Sequence, residues 1–367
     1  MTDPRIDRLA RIVVEYSTAV KPGETVLIQG EIVAEPFLRE IYRRVLQAGG
    51  LPHLDLRLSE QERLFHEYAG DDLLDRTSPL RKAMAEIADV WIVVWAESNT
   101  KELSQVSPAR IARHRRAMRP IREIMDRREM EGKFRWCGVG FPTPAMAQEA
   151  QMSLMDYENF VFEACLLNRP DPVVAWQELS RVQDRMIQRL DGIREIHVKT
   201  SDSDLRVSVE GRRWINCNGR NNFPDGEVFT SPVEDSAEGV LRFNYPAVYH
   251  GNEVEGVELH FQAGRVVDAR AKRNEPFLIG MLDTDEGARR LGEISIATNY
   301  GIQRYTKNIL FDEKIGGTMH VAVGSSYPEA GGKNLSSVHW DLIKDMKEGG
   351  EITADGRVVY RDGQFVF

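Results

Sequence analysis

Six side chains in the second half of this chain have the chemistry of divalent-metal ligands. They are two imidazoles and four carboxylates, and a phenol lies among them in the sequence. The seven residues are Glu227, Glu293, Glu313, His320, Tyr327, His339 and Asp341. Borderline nitrogen donors and hard oxygen donors together suit a pair of divalent cations, because the carboxylates carry enough negative charge to hold two cations close together. If these groups meet, the chemistry that they predict is a metal-assisted hydrolysis.

The spacing of several of these residues suits β-strands. His339 and Asp341 are separated by one residue, so in an extended segment both side chains point to the same face. The same alternation in residues 317–324 places His320 on the face opposite Met319 and Val321. Glu227 opens another strand-like run directly after a turn-rich segment. We therefore expect strands to present these ligands.

A helix is expected to present Glu293. The segment Asp-Thr-Asp-Glu at 283–286 has the composition of a helix start, and the short segment that follows ends near Glu293. On this interpretation Glu293 lies at the C-terminal end of a short helix.

The strings around these residues resemble those of one family. They read Asn-Phe-Pro-Asp-Gly-Glu-Val-Phe-Thr-Ser-Pro at 222–232, Gly-Glu at 292–293, Leu-Phe-Asp-Glu-Lys-Ile-Gly-Gly-Thr-Met-His at 310–320, and His-Trp-Asp-Leu at 339–342, with a tyrosine at 327. This pattern is similar to that of the M29 metallo-aminopeptidases of the aminopeptidase T and aminopeptidase S type. The resemblance reaches motif detail in the C-terminal half, whereas the N-terminal half agrees in general α/β character.

The resemblance implies a metal-dependent aminopeptidase, a hydrolase acting on peptide bonds, with two divalent metal ions per chain. The metal ligands that it implies are Glu227, Glu293, Glu313, His320, His339 and Asp341. Zinc, cobalt, manganese and magnesium are not distinguished by ligand types as mixed as these. It also implies a peptide substrate with a free N-terminus and a homodimer.

Catalytic roles follow from the same resemblance. Glu313, Tyr327 and Glu293 are the implied catalytic residues, and the nucleophile is a water whose pKa the two metals lower. Glu313 is either a metal ligand or the general base that takes the proton of this water. Tyr327 donates a hydrogen bond to the developing oxyanion or to a ligand carboxylate.

Composition argues against several other classes of protein. The net charge of −9 is unlike that of nucleic-acid-binding proteins, which are usually basic. The three cysteines, Cys137, Cys165 and Cys217, are widely spaced and indicate neither a disulfide framework nor a thiolate metal site. No apolar run long enough to cross a membrane and no secretory leader is evident in the sequence. We therefore expect a cytoplasmic protein with no nucleic-acid or membrane partner.

The expected fold is α/β with two domains, because 367 residues exceed one typical domain. Residues 1–190 alternate helices and strands, with strands near 25–29, 52–57, 90–95 and 134–139, which predicts a layered domain with a mostly parallel sheet. Residues 191–367 are rich in alternating strands and predict an α+β domain with antiparallel strands that carries the metal site. Eight arginines between Arg110 and Arg128, interleaved with acids, predict a solvated helical face interrupted near Pro120.

Two further hypotheses stay open at this point. His320, His339 and Asp341 alone would form the two-histidine, one-carboxylate triad of a mononuclear non-haem iron enzyme, and ring-cleaving dihydroxypyridine dioxygenases are similar in overall pattern. Such a site has no use for Glu227, Glu293 and Glu313, so the glutamates favour the peptidase. The remaining hypothesis is a peptide-binding protein that has lost its chemistry, which the intact ligand set disfavours.

Overall fold

The structure is a computed structural model that describes residues 3–249 and 251–366. Its helices, in chain order, are α1 (Pro4–Arg11), α2 (Glu35–Gln47), α3 (Gln61–Tyr68), α4 (Asp71–Leu74), α5 (Pro79–Ile87), α6 (Pro108–Met130), α7 (Pro144–Glu149), α8 (Leu154–Ala164), α9 (Pro172–Leu190), α10 (Glu275–Leu282) and α11 (Ile309–Asp312). A π-helical stretch, Ile12–Ser17, follows α1, and 3₁₀ turns form at Ile32–Ala34 and Pro328–Ala330.

The strands, in chain order, are β1 (Thr25–Glu31), β2 (Leu51–Arg57), β3 (Val90–Trp95), β4 (Arg135–Gly140), β5 (Glu195–Lys199), β6 (Asp204–Ser208), β7 (Ile215–Cys217), β8 (Asn222–Phe223), β9 (Glu227–Thr230), β10 (Glu238–Arg242), β11 (Ala247–Tyr249), β12 (Asn252–Val254), β13 (Glu258–Gln262), β14 (Arg265–Arg270), β15 (Leu291–Ala297), β16 (Thr318–Gly324), β17 (His339–Asp345), β18 (Glu351–Ala354), β19 (Arg357–Arg361) and β20 (Gln364–Phe365).

The chain divides into two compact units whose bounds differ from the expected division after residue 190. One unit contains the chain up to Val173 together with Gly219–Pro224, and the other contains Val174–Asn218 and the chain from Asp225 onwards. Most of α9 belongs to the second unit because Gln183 donates hydrogen bonds to the carbonyls of Cys217 and Glu227. Leu190, at the end of this helix, is buried in the core of that unit.

The first unit is built on a parallel sheet, as the sequence predicts. Its five strands have the order β2-β1-β3-β4-β8, and each neighbouring pair is parallel. The interior strands are apolar over several consecutive residues, which is typical of a sheet covered on both faces. Leu27, Trp91 and Phe134 form a core cluster with Ile121 and Ile124 of α6.

Helix α6 is continuous through Pro120, so the predicted interruption is wrong. Proline removes one backbone donor and normally kinks a helix. Here Ile121 and Ile124 remain buried against the sheet on one side of the helix. On the exposed side, ion pairs Arg119–Glu123 and Arg122–Asp126 join successive turns. The tertiary packing of the apolar face offsets the local cost of the proline.

The second unit contains antiparallel sheets. One has eight strands in the order β14-β13-β10-β6-β5-β18-β19-β20, one has five in the order β17-β16-β15-β9-β7, and β11 pairs with β12. A single core cluster draws side chains from both larger sheets, including Val198, Leu259, Ile294, Val321 and Trp340. The predicted fold class, a parallel α/β part followed by an antiparallel α+β part, is confirmed.

Glu293 lies in the middle of a strand and not at the end of a helix, which corrects the sequence-based expectation. The helix in this region, α10, ends at Leu282, before the segment 283–286. Within that segment Asp285 accepts hydrogen bonds from the backbone N–H and the hydroxyl of Ser337. Asp285, which resembled a helix cap, therefore binds a loop that is distant in the sequence. The chain after it enters β15.

Candidate metal centre

The register of the five-stranded antiparallel sheet aligns the ligand types on one face. Ala322 of β16 pairs with Glu293 of β15 on one side and with Asp341 of β17 on the other. His320 pairs in the same way with Ser295 of β15. Residues that pair directly across strands share a face, as do alternate residues along one strand. Because Ala322 carries only a methyl group, the carboxylates that flank it can approach the imidazoles.

The opposite face of these strands supplies the hydrophobic core. Val228, Ile294, Val321, Trp340 and Leu342 are all buried there. A shift of register by one residue would exchange the core side chains with the polar ones, so burial of this apolar face fixes which residues face the site. The core thereby determines the position of the polar cluster.

Glu293 lies between the two histidines. Its Oε1 atom is 3.5 Å from Nε2 of His320, and its Oε2 atom is 3.5 Å from Nε2 of His339. His320 Nε2 is also 3.4 Å from Oε2 of Glu227, and His339 Nε2 is 3.6 Å from Oδ1 of Asp341. The carboxylate of Glu293 thus faces two separate imidazoles, and each imidazole has a further carboxylate nearby. Oδ1 of Asp341 also lies 3.9 Å from Nε2 of His320.

All six predicted ligands come together in the structure. Within the described part of the chain, four groups of three residues have potential ligand atoms within 4.8 Å of one another, and three of these groups contain only predicted ligands. Those three groups are Glu227–Glu293–His320, Glu293–His339–Asp341 and Glu313–His320–Asp341. Two of them share Glu293, and the third shares His320 and Asp341 with the other two.

Backbone carbonyls orient both imidazoles. Nδ1 of His320 lies 3.1 Å from the carbonyl oxygen of Glu313, and Nδ1 of His339 lies 2.8 Å from that of Ser325. A carbonyl can only accept, so each Nδ1 carries the proton, which in the neutral ring leaves the lone pair on Nε2. Both Nε2 atoms face the carboxylates, and this arrangement is typical of metal-binding histidines.

The cluster carries an excess of buried negative charge. Burial raises the pKa of Glu227 to about 8 and that of Asp341 to about 6. Burial also acts to raise the pKa of Glu293, but hydrogen bonds from His320 and His339 outweigh it and lower that pKa to about 2. For both histidines burial favours the neutral ring, yet the neighbouring carboxylates raise their pKa values to about 10. This donor set fits divalent cations, which would balance the negative charge.

Tyr327 borders the cluster on its more exposed side. Its ring packs against Phe229 at 4.9 Å and against His339 at 5.1 Å between centroids, and its hydroxyl oxygen is 3.4 Å from Nε2 of His339. Burial and the nearby carboxylates hold the pKa of the phenol well above its usual range. The hydroxyl therefore keeps its proton and remains a hydrogen-bond donor beside the imidazole.

Three polar residues of the cluster, Ser295, Asp225 and Lys314, were not identified as site residues from the sequence. Ser295 donates a hydrogen bond of 2.7 Å to Oε2 of Glu227. Lys314 is fully buried and approaches Asp225 and Glu227, and its ammonium contacts the carboxylate of Glu313 directly. These carboxylates outweigh the effect of burial and hold the pKa of Lys314 well above its ordinary value, so the side chain is charged.

A sequence signal existed for each of these three residues. Ser295 follows Glu293 by two positions, which in a strand means the same face. Asp225 and Lys314 lie inside the quoted strings 222–232 and 310–320. Lysine and aspartate are by default surface residues, however, and only the tertiary structure shows that these two are buried.

The described part of the chain combines a parallel-sheet unit with an antiparallel unit that holds clustered imidazoles and carboxylates. This fold and these residue types are those expected of a metal-dependent enzyme of mixed α/β fold. The chain belongs to the M29 family of thermophilic metalloproteases, whose model matches residues 2–365. Membership implies binding of divalent metal and action on peptide bonds.

Relatives that are named aminopeptidases match over nearly their whole length. Aminopeptidase 2 of Geobacillus stearothermophilus is 26% identical, with 100% of this chain and 98% of the relative covered. Aminopeptidase AmpS of Bacillus subtilis is 27% identical, with 99% and 98% covered. The solved structure of wild-type AmpT from Thermus thermophilus superposes with a TM-score of 0.87 at 26% identity, covering 99% of each chain.

A second solved structure is similar in fold alone. The 2,5-dihydroxypyridine dioxygenase of Pseudomonas putida KT2440 has a TM-score of 0.62 at 14% identity, with 98% of this chain and 96% of that chain covered. At this identity the similarity shows a shared fold and not a shared activity. The family and enzyme class predicted from the sequence, those of an M29 metallo-aminopeptidase, are confirmed. Among residues 3–249 and 251–366, no helix is both long and apolar enough to cross a membrane.

Proposed function

We propose that this chain removes single N-terminal residues from peptides with the help of two divalent cations held by its predicted ligand set. The position of Glu293 carries this proposal, because its two carboxylate oxygens face two different imidazoles. A carboxylate with an imidazole beside each of its two oxygens can bind one cation through each oxygen, and each cation would then also have an imidazole ligand. The arrangement therefore supports a dinuclear site more strongly than a mononuclear one.

The ligands divide into two subsites around Glu293. Glu227 and His320 belong to the first, and His339 and Asp341 belong to the second. Glu313 has an oxygen near both His320 and Asp341, so it can reach either subsite. When bound, the cations would supply Lewis acidity, which lowers the pKa of a water and polarises the scissile carbonyl. Zinc, cobalt, manganese and magnesium all suit this mixture of oxygen and nitrogen donors.

Substrate would enter beside His339 and Tyr327. The side chain of His339 is 28% exposed, whereas that of His320 is 1% exposed, so the cluster opens on the His339 side. A cation bound there could take the free α-amine of the substrate as a ligand, which favours peptides with a free N-terminus. Tyr327 can donate its phenol proton to the oxyanion that forms as the carbonyl is attacked. Glu313 can take a proton from the attacking water and deliver it to the leaving amine.

The same proposal includes the oligomeric state of the protein and its location in the cell. Resemblance to the family favours a homodimer, and the composition favours a cytoplasmic enzyme with no nucleic-acid partner. Size-exclusion chromatography with light scattering would measure the oligomeric state directly.

Metal analysis combined with a chromogenic assay tests the proposal. We expect two divalent metal ions per chain, and release of p-nitroaniline from leucine and lysine p-nitroanilides that a chelator abolishes and added metal restores. N-acetyl-leucine p-nitroanilide is the matched control and should not be cleaved, because its α-amine is blocked. One iron per chain with oxygen uptake would instead support the ring-cleaving dioxygenase. Neither metal nor turnover would overturn the proposed function altogether.

A further inference from the structure

Lys314 is a fully buried lysine within the carboxylate cluster. Its side chain has 0% exposure, and its Nζ atom is 3.8 Å from Oε1 of Glu227 and 3.9 Å from Oδ1 of Asp225. The ammonium also contacts the carboxylate of Glu313. Removing an ammonium from water is strongly unfavourable unless nearby negative charge compensates it. The three carboxylates supply that compensation, so Lys314 is a fixed cation of the cluster.

This ammonium approaches a group of side chains that could hold a cation. Cys217, Asp225 and Glu227 form the fourth group whose potential ligand atoms lie within 4.8 Å of one another among the described residues. Lys314 Nζ approaches two of its three members, Asp225 and Glu227. A lysine ammonium is a compact point charge with three donors, so it can take the place of a metal ion between carboxylates.

Lys314 also helps to fix the orientation of Glu227. Oε1 of Glu227 faces the ammonium, while Oε2 accepts a hydrogen bond from Ser295 and lies 3.4 Å from Nε2 of His320. The two oxygens thus have different partners, which holds the carboxylate plane in one orientation. With Lys314 on its far side, Glu227 presents Oε2 to the predicted metal subsite.

The charges of the cluster balance with two divalent cations only when Lys314 is counted. Five carboxylates meet here, from Asp225, Glu227, Glu293, Glu313 and Asp341. They contribute five negative charges when ionised. Lys314 and two divalent cations contribute five positive charges, and the histidines are neutral when they act as ligands.

We propose that Lys314 is an internal cation that takes the place of a third metal ion beside Asp225 and Glu227, and so restricts the centre to two divalent cations. The inference rests on the proposed dinuclear function. Lys314 is a positioning residue and not a catalytic one, because it is fully buried while the cluster opens beside His339.

Three variants and a control test this inference by metal content. In K314M the ammonium is replaced by an apolar chain of similar length, and we expect the chain to bind three cobalt ions where the wild type binds two. The third cobalt should bring an absorption band of thiolate ligation that C217S, added to K314M, removes. In D225N/K314M one negative charge is removed along with the positive one, so the cobalt content should return to two.

Lys344 provides the matched control. It is also buried, lies 2.6 Å from Asp202, and belongs to the same unit outside the cluster. K344M should lose stability as any buried lysine variant does, but it should bind two cobalt ions. The melting temperature, measured with and without cobalt, adds a second readout: D225N should restore part of the stability lost in K314M.

The possible outcomes distinguish this inference from the proposed function. A wild-type chain that binds no metal would overturn the dinuclear function itself. Suppose that the wild type and K314M both bind two cobalt ions and that D225N restores none of the stability lost in K314M. This result would overturn only the role of Lys314. If K314M does not fold, a folded D225N/K314M with two cobalt ions supports the charge argument. If both fail to fold while K344M folds, the charge argument is wrong.

Discussion

The carboxylate of Glu293 meets the imidazole of His339 through its Oε2 atom, 3.5 Å from Nε2. Its other oxygen is the same distance from a second imidazole, that of His320. The two histidines come from neighbouring strands, β16 and β17, and Glu293 comes from β15 on the far side of β16. A side chain that joins both halves of the cluster should affect both when it is changed.

Glu293→Gln should reduce metal binding at both subsites. The amide keeps the shape of the side chain but loses its negative charge, and one of its two oxygens is replaced by an amide nitrogen that cannot coordinate. We expect a loss of affinity larger than the roughly 10–100-fold that removal of an outer hydrogen-bond partner costs. Isothermal titration of the metal-depleted protein would measure it. E258Q, at an ion pair with Arg242 away from the cluster, is the control. Loss of only one cation with normal affinity for the other would contradict a bridging role.

Ser295→Ala should weaken metal binding without displacing any ligand. The hydroxyl donates to Oε2 of Glu227, which is the oxygen that faces His320. Loss of such an orienting partner typically lowers metal affinity about 10–100-fold. Competition with a chromogenic chelator would measure the change. Ser236, whose hydroxyl donates to the carbonyl of Val233, offers the control S236A. An affinity equal to that of the wild type would show that Ser295 does not orient Glu227.

Tyr327→Phe should lower kcat and leave metal content unchanged. The phenol lies beside His339 at the open side of the cluster, and we expect it to hydrogen-bond the oxyanion in the transition state. Removal of one such donor costs about 10²–10³-fold in kcat. Steady-state kinetics on leucine p-nitroanilide with parallel metal analysis would separate the two effects. The control is Y300F, which removes a phenol bonded to the carbonyl of Gly363 in the same unit. A change confined to KM would argue for substrate binding and against oxyanion stabilisation.

Glu313→Gln should abolish turnover while most of the metal is retained. A glutamine cannot accept the proton of the attacking water, and loss of a general base typically costs about 10²–10⁴-fold in rate. The contact between Glu313 and Lys314 would be weakened by the same change, so folding must be checked by circular dichroism. Full activity of E313Q would refute the general base. A metal content reduced to one ion per chain would assign Glu313 to the ligands instead.

Local sequence patterns predicted much of the site. The alternation in His339-Trp-Asp341 places both ligands on one strand face. In the strand His339–Asp345, His339 and Asp341 are partly exposed, and Trp340 between them is buried. The strand around His320 was predicted for the same reason. Such periodicity depends only on neighbouring residues, so it can be read without knowledge of the rest of the fold.

Patterns of this kind failed where a distant partner determines the structure. Asp285 looks like a helix cap, but it accepts hydrogen bonds from Ser337, far along the chain, and the region of Glu293 becomes a strand between two others. Helix α6 continues through Pro120 because its apolar side packs on a sheet. Local propensity is weaker than the burial that competes with it in both places.

The sequence by itself determined which residue types are available for metal binding, which of them lie on strands, and to which family the strings around them are similar. Tertiary structure alone decided that Glu293 stands between two imidazoles, because the pairing of β15 with β16 and of β16 with β17 brings together residues from separate segments. It also decided that Lys314 is buried among carboxylates. The physical reason is that strand register is fixed by burial of the opposite, apolar face, and this burial depends on the whole unit at once.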